Sequence, residues 1–190
     1  MARFVLLDRD GVINRKIQNG YVTSWGRFVF LPGALDALRL FHAAGYLPLV
    51  ISNQAGVGKG LMTAVALDQI TARFKKRVEA AGGRIERVYY CTHAKEAHCG
   101  CRKPRPGLLI DAERDYHFCP AVTYFIGDSP ADILAASRMG CPAILISKNP
   151  PGELKACEAK PRAVVSDLKA AAEFILAGAG LALPPPAMTG

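Results

Sequence analysis

Two aspartates, Asp8 and Asp10, close an apolar run at Phe4 to Leu7 and are followed at once by Gly11. In extended backbone, residues i and i+2 point to the same side, so the two carboxylates converge where glycine lets the chain turn away. Like charges held together there need a cation or a shared proton. An isolated Asp-x-Asp-Gly is also common as a solvated turn. A second acidic pair, Asp128 and Asp132, however, follows another apolar run at Val122 to Ile126. If a sheet brings the two turns together, three carboxylates surround one point, which describes a hard-cation site; Mg2+ suits it when the substrate is a phosphate. Ser52-Asn53-Gln54 after a third apolar run offers a hydroxyl and amides to an oxyanion, and Lys103 adds a point charge. The stretch Gly56-Val57-Gly58-Lys59-Gly60 is not a nucleotide P-loop, because Asn53 stands at the first glycine position and Gly60 where Ser or Thr is required.

A different chemistry lies in Cys91-Thr92-His93 and Cys99-Gly100-Cys101. Three thiolates and one imidazole fill a tetrahedral zinc site and leave no position for an activated water, so the metal is expected to be structural. His98 beside Cys99 competes with His93 for the fourth position. Six cysteines in a chain that opens without an export signal argue for reduced thiols or metal ligands over a disulfide framework. Cys119, Cys141 and Cys157 belong to no motif. Cys101 runs directly into Arg102-Lys103, so a metal clip there would fix the backbone from which both cations reach a phosphate.

These residues need elements that bring them to one place. Apolar runs at 4–7, 47–51, 88–90, 122–126, 143–146 and 163–165 read as strands. Helical patterns at 34–44, 64–81, 108–116, 133–139 and 168–176 separate them, with Thr63 as an N-cap and Gly45, Gly82 and Gly140 as stops. This alternation predicts an α/β fold: a three-layer, Rossmann-like parallel sheet with helices on both faces, a minimal cap and a zinc-binding loop at 91–101. In such folds ligands sit beyond the carboxyl ends of the strands, which here are Asp8 to Gly11, Ser52 to Gln54, Cys91 to His93 and Gly127 to Ser129.

The chain has 190 residues, 51% of them hydrophobic, with no apolar run near the length needed to span a bilayer. One domain over 1–180 is expected, followed by a disordered tail at 181–190 rich in proline. The net charge of +8 suits nucleic acid, an acidic membrane surface or a small anionic substrate. Residues 73 to 105 hold ten basic against three acidic residues, so nearly the whole excess flanks the cysteine cluster. Lys75, Lys76 and Arg77 read as a solvated helix face, whereas Arg102, Lys103 and Arg105 are expected to face the phosphate.

Asp8-Arg9-Asp10-Gly11-Val12-Ile13-Asn14, Ser52-Asn53-Gln54, Arg102-Lys103-Pro104 and Gly127-Asp128-Ser129-Pro130-Ala131-Asp132 resemble, in order, the four motifs of the haloacid dehalogenase superfamily of phosphatases. The cysteine cluster makes the resemblance strongest to its heptose bisphosphate phosphatases. The resemblance implies a cytoplasmic enzyme of carbohydrate metabolism that removes the 7-phosphate of a heptose 1,7-bisphosphate for glycan precursors. Asp8 would be the nucleophile and Asp10 the acid and base. Mg2+ would sit on Asp8, Asp128 and the Asp10 carbonyl, and structural Zn2+ on Cys91, His93, Cys99 and Cys101. Ser52 and Lys103 would hold the phosphoryl group, and Gln18, Asn19, Gly20, Tyr21, Asn53, Gln54 and Arg102 would contact the sugar. Relatives often carry Lys where this chain has Ser129. A monomer with no nucleic-acid or membrane partner is expected. Histidinol-phosphate phosphatase is the alternative within the superfamily; a zinc-stabilised nucleic-acid-binding module or a nucleic-acid-end phosphatase is the alternative outside it.

Overall fold

A computed structural model of the chain describes residues 2–147 and 159–181; Cys157 and residues 182–190 of the expected tail lie outside them. Six strands, β1 (Arg3–Leu7), β2 (Tyr46–Asn53), β3 (Arg87–Cys91), β4 (Tyr124–Gly127), β5 (Ala143–Ile146) and β6 (Ala163–Val165), form one sheet in the order β3-β2-β1-β4-β5-β6. Every pairing is parallel. The helices are α1 (Ala34–Ala43), α2 (Ala64–Ala80), α3 (Gly107–Tyr116), α4 (Pro130–Met139) and α5 (Leu168–Gly178).

The pleat of β1 shows why both faces are covered. Val5 and Leu7 point into a core shared with Phe41 of α1, Phe74 of α2 and Ile175 of α5. Phe4 and Leu6 point the other way, onto Leu109 of α3 and Ile133 of α4. A strand buried on both sides reads as an unbroken apolar run, as Phe4 to Leu7 does. The predicted three-layer α/β architecture is therefore the one observed.

Of the boundaries that differ from the sequence reading, two have a clear physical reason. Val122 belongs to a 3-10 turn, Pro120–Val122, and is 73% exposed. Its β-branched side chain extended the apolar run without being part of β4, because burial and not propensity decides a strand end. Helix α4 starts at Pro130, three residues before the predicted start, since proline fits a first turn whose N–H groups lack partners. Ser129 caps it in a reciprocal box with Asp132.

The strand order reverses between β1 and β4, and the crevice beyond that switch is where such sheets bind ligands. Asp8 follows β1, and its N–H donates to the Ile126 carbonyl of β4 at 2.9 Å. Asp128 follows β4 directly. The two acidic turns, separated by 120 residues of sequence, thus become neighbours.

Candidate active site

The crevice holds a cavity of about 290 Å³ lined by Asp8, Asp10, Ser52, Asn53, Arg102, Lys103, Asp128 and Asp132, and covered by Lys16, Ile17, Gly20, Tyr21 and Val22. This cover is loop-sized. Gly11 takes a left-handed φ of 98°, and a Cβ there would fall inside the Asp128 carboxylate, so only glycine lets the turns approach. Gly127 is constrained by space alone, a Cβ there meeting the Asp132 side chain.

Lys103 is fully buried and donates to Asp8 Oδ1 at 2.8 Å and to the Ile51 carbonyl at 2.7 Å, with Asp132 Oδ1 at 2.7 Å. Burial opposes its charge, but Asp132 and Asp8 outweigh that and hold the ammonium above the usual lysine range. Asp132 is committed twice over, since its Oδ2 also accepts from the Ser129 hydroxyl at 2.6 Å and the Ser129 N–H at 3.1 Å. Oxygens of Asp8, Asp128 and Asp132 do lie within 4.8 Å of one another. The three are not equivalent: Asp132 is a counter-ion for Lys103, and Asp128 Oδ1 is buried without a partner among the described residues. An orphaned carboxylate oxygen facing a second carboxylate fits a divalent cation held by Asp8 and Asp128, and Mg2+ characteristically takes one or two carboxylates.

Without that cation Asp128 is strained electrostatically. Burial foremost, with the charges of Asp8 and Asp132 adding and Lys16 opposing, pushes its carboxyl up to about 6. A folded-state pKa raised above the unfolded value means that the native state binds the proton more tightly, so the metal-free protein loses stability as pH rises from about 4 to 6 and stays lower above. Asp128→Asn removes that cost. In chelator at pH 7.5 the variant should be more stable than the native chain to urea by about 1–3 kcal/mol, with the difference vanishing near pH 4; equal stabilities at both pH values would refute this reading.

Asp10 is held from three sides. Arg9 Nη2 donates to both its oxygens at 3.1 and 3.0 Å, Asn14 Nδ2 to Oδ1 at 2.7 Å, and Gln54 Nε2 to Oδ2 at 2.6 Å. Gln54 also accepts from Arg9 at 2.9 Å and donates to Ser52 Oγ at 3.2 Å. Gln54, expected to contact substrate, is buried and absent from the lining, with its amide engaged by Asp10, Arg9 and Ser52. Gln18 and Asn19 are exposed and absent from the lining, whereas Gly20 and Tyr21 are in it. Asn53 lines the cavity, but its amide clamps the main chain of Lys103, donating to its carbonyl and accepting from its N–H, both at 3.1 Å. Arg102 lines the cavity with Nη1 buried and unpartnered among the described residues. Arg105 turns back to donate to the carbonyls of His98 and Cys99, so it does not face the cavity as expected.

The cysteine cluster closes beside this site. Cys91 Sγ lies 3.5 Å from Cys99 Sγ, Cys101 Sγ 3.4 Å from Cys99 Sγ, and His93 Nδ1 3.3 Å from Cys101 Sγ and 3.8 Å from Cys91 Sγ. Bond lengths of ~2.3 Å to sulfur and ~2.0 Å to nitrogen put tetrahedral edges at ~3.5–3.8 Å, so the four atoms fit one zinc ion. His93, not His98, completes the set. The loop at 54–60 is tied to this clip, Gln54 N–H donating to the Cys91 carbonyl at 2.7 Å and Gly58 N–H to the Thr92 carbonyl at 2.9 Å.

Arg9, Asn14 and Lys16 were not legible as site residues. Arg9 lies between two carboxylates that face the cavity, so strand alternation sends it inward, where its guanidinium sits over Phe28 and Tyr90. Among the described residues no helix is long and apolar enough to cross a membrane.

A parallel sheet with a carboxylate pair and a buried lysine at its switch point is the framework of the haloacid dehalogenase (HAD) class, and the HAD-hydrolase-like family model matches residues 100–171. D-glycero-alpha-D-manno-heptose-1,7-bisphosphate 7-phosphatase of Mycobacterium bovis is 38% identical over 148 residues, covering 75% of this chain and 78% of that protein. D-glycero-beta-D-manno-heptose-1,7-bisphosphate 7-phosphatase of Pseudomonas putida is 33% identical over 144 residues, covering 76% and 82%. The crystal structure of D,D-heptose 1,7-bisphosphate phosphatase from B. bronchiseptica, complexed with magnesium and phosphate, aligns with a TM-score of 0.86 and 31% identity over 93% of this chain and 99% of that one. The chain belongs to the heptose-1,7-bisphosphate 7-phosphatase family of HAD-like hydrolases. These relatives support the heptose bisphosphate reading and not the histidinol-phosphate alternative.

Proposed function

We propose that this chain hydrolyses the 7-phosphate of D-glycero-D-manno-heptose 1,7-bisphosphate, releasing heptose 1-phosphate. The observation that carries the reading is the unpartnered Asp128 oxygen set against Asp8 at the switch point, with a buried lysine on the other side of Asp8. A carboxylate oxygen of Asp8 attacks phosphorus, the bond from phosphorus to the sugar oxygen breaks, and Asp10 gives that oxygen its proton. Water then attacks the aspartyl-phosphate, Asp10 takes its proton, and the bond from phosphorus to Asp8 breaks to free inorganic phosphate. Lys103 fixes Asp8, Ser52 and Lys103 hold phosphoryl oxygens, and Arg9, Asn14 and Gln54 fix Asp10 for both proton transfers. Mg2+, when bound by Asp8, Asp128 and the Asp10 carbonyl, neutralises charge on the phosphoryl group. Arg102, Asn53, Gly20 and Tyr21 contact the rest of the substrate.

Zn2+ on Cys91, His93, Cys99 and Cys101 serves structure, locking the segment that carries Arg102 and Lys103. Metal analysis should find about one zinc per chain. Cys101→Ser should lose it and lower kcat/KM by about tenfold or more, by loosening Lys103 two residues on; full activity without zinc would disprove the link. The same reading takes residues 1–180 as one catalytic domain, a monomer in the cytoplasm, acting on a small phosphorylated sugar with no nucleic-acid or membrane partner. The deciding assay is kcat/KM on heptose 1,7-bisphosphate against histidinol phosphate, with 31P NMR to locate the phosphate lost. Preference for histidinol phosphate, or loss of the 1-phosphate, would overturn the proposal.

A further inference from the structure

Four carboxylates (Asp8, Asp10, Asp128, Asp132) and three side-chain cations (Lys16, Arg102, Lys103) line the cavity. Lys103 is held on three sides, by Asp8, Asp132 and the Ile51 carbonyl. Lys16 is different. Among the described residues its ammonium has one hydrogen-bond partner, Asp128 Oδ2 at 2.8 Å, and its side chain is 53% exposed beside the cavity. The base of that side chain is anchored: Asn14 bridges to Phe30, and the Arg15 N–H donates to the Val29 carbonyl at 2.8 Å. Beyond this fixed point a flexible four-carbon stem is free to swing. The carboxylate it neutralises is also the one whose other oxygen is buried without a partner. An ammonium and a divalent cation both draw on the same carboxylate charge, so each weakens the hold of the other.

We propose that Lys16 is an exchanging cation: it pairs with Asp128 in the metal-free enzyme, is released when a divalent cation binds Asp8 and Asp128, and passes to the second, non-reacting phosphate of the substrate. The inference rests on the bisphosphate reading above. Charge balance supports it. The lining carries one net negative charge as it stands and one net positive charge once a divalent ion is bound, and Lys16 is the lining cation whose tie to Asp128 is then broken. Lys16 touches neither the reacting phosphorus nor the leaving oxygen; it sets how tightly the metal is held and which substrates are retained.

The test uses the full chain, stripped by chelator and titrated with Mn2+, the free ion being followed by electron paramagnetic resonance. Lys16→Met should bind Mn2+ roughly three- to tenfold more tightly than the native chain, and Lys16→Arg should stay close to native. At saturating Mg2+, Lys16→Met should raise KM for heptose 1,7-bisphosphate about tenfold, with kcat nearly unchanged and KM for heptose 7-phosphate unmoved. Unchanged or weaker Mn2+ binding in Lys16→Met overturns the exchange, and an equal rise in KM for both sugars overturns the hand-over. The Mn2+ arm needs no sugar. A native chain that hydrolyses neither sugar would therefore remove the proposed function while the titration still decides what Lys16 does at Asp128.

Discussion

Asp8→Asn is expected to abolish turnover, by about 10⁴-fold or more, while the protein remains folded. The amide keeps the shape of the carboxylate and an oxygen that can accept from Lys103, now 2.8 Å from Asp8 Oδ1. Lys103 also keeps Asp132 at 2.7 Å, so its charge stays countered. What disappears is the proposed nucleophile and a negative charge facing Asp128. The expected signature is a near-native urea transition, no measurable phosphate release, and weaker Mn2+ binding. Acid quench of the native enzyme during turnover should leave a phosphoryl group on the peptide that contains Asp8, labile to hydroxylamine, and none in the variant. Substantial turnover by Asp8→Asn would remove Asp8 as the nucleophile, and with it the two-step route.

The sheet and both acidic turns were legible because β1, β2, β4 and β5 are buried on both faces and read as apolar runs ended by polar residues. The parallel rule then put those polar ends on one side. The division of labour among the carboxylates was not legible. Asp128 and Asp132 stand four apart on one turn, and only the close approach through Gly127 shows that Asp132 points at Lys103 and Ser129 while Asp128 keeps an open oxygen. Gln54 and Asn53 were similarly ambiguous: an amide after a strand suits a substrate as well as it suits a neighbouring loop. Their partners, Asp10 and the Lys103 main chain, lie 44 and 50 residues away. Arg105 shows the limit of charge counting, since a cation close in sequence to the cavity's Lys103 spends its donors on carbonyls of the cysteine loop. Of the basic window only Arg102 and Lys103 reach the cavity, and Lys16, the third lining cation, comes from outside it.

The largest effect on stability is expected from Lys103→Met, which removes the ammonium between Asp8 and Asp132 and leaves two buried carboxylates facing each other. Breaking one side of a buried ion pair costs about 3–5 kcal/mol, a large fraction of the ~5–15 kcal/mol that holds a domain together. Below the usual lysine range the native ammonium is fully charged in both folded and unfolded chains, so its contribution does not change across neutral pH and is lost only in strong alkali. Urea unfolding of the variant beside the native chain at neutral pH should show this deficit, and equal transitions would refute it. Adding Asp132→Asn to Lys103→Met takes away one of the two stranded charges and should recover part of the loss, whereas Asp132→Asn alone should destabilise, because it weakens the support of Lys103 and the cap of α4. If the two substitutions simply add in that cycle, Lys103 and Asp132 do not depend on each other, and the buried lysine is held by Asp8 and the Ile51 carbonyl alone.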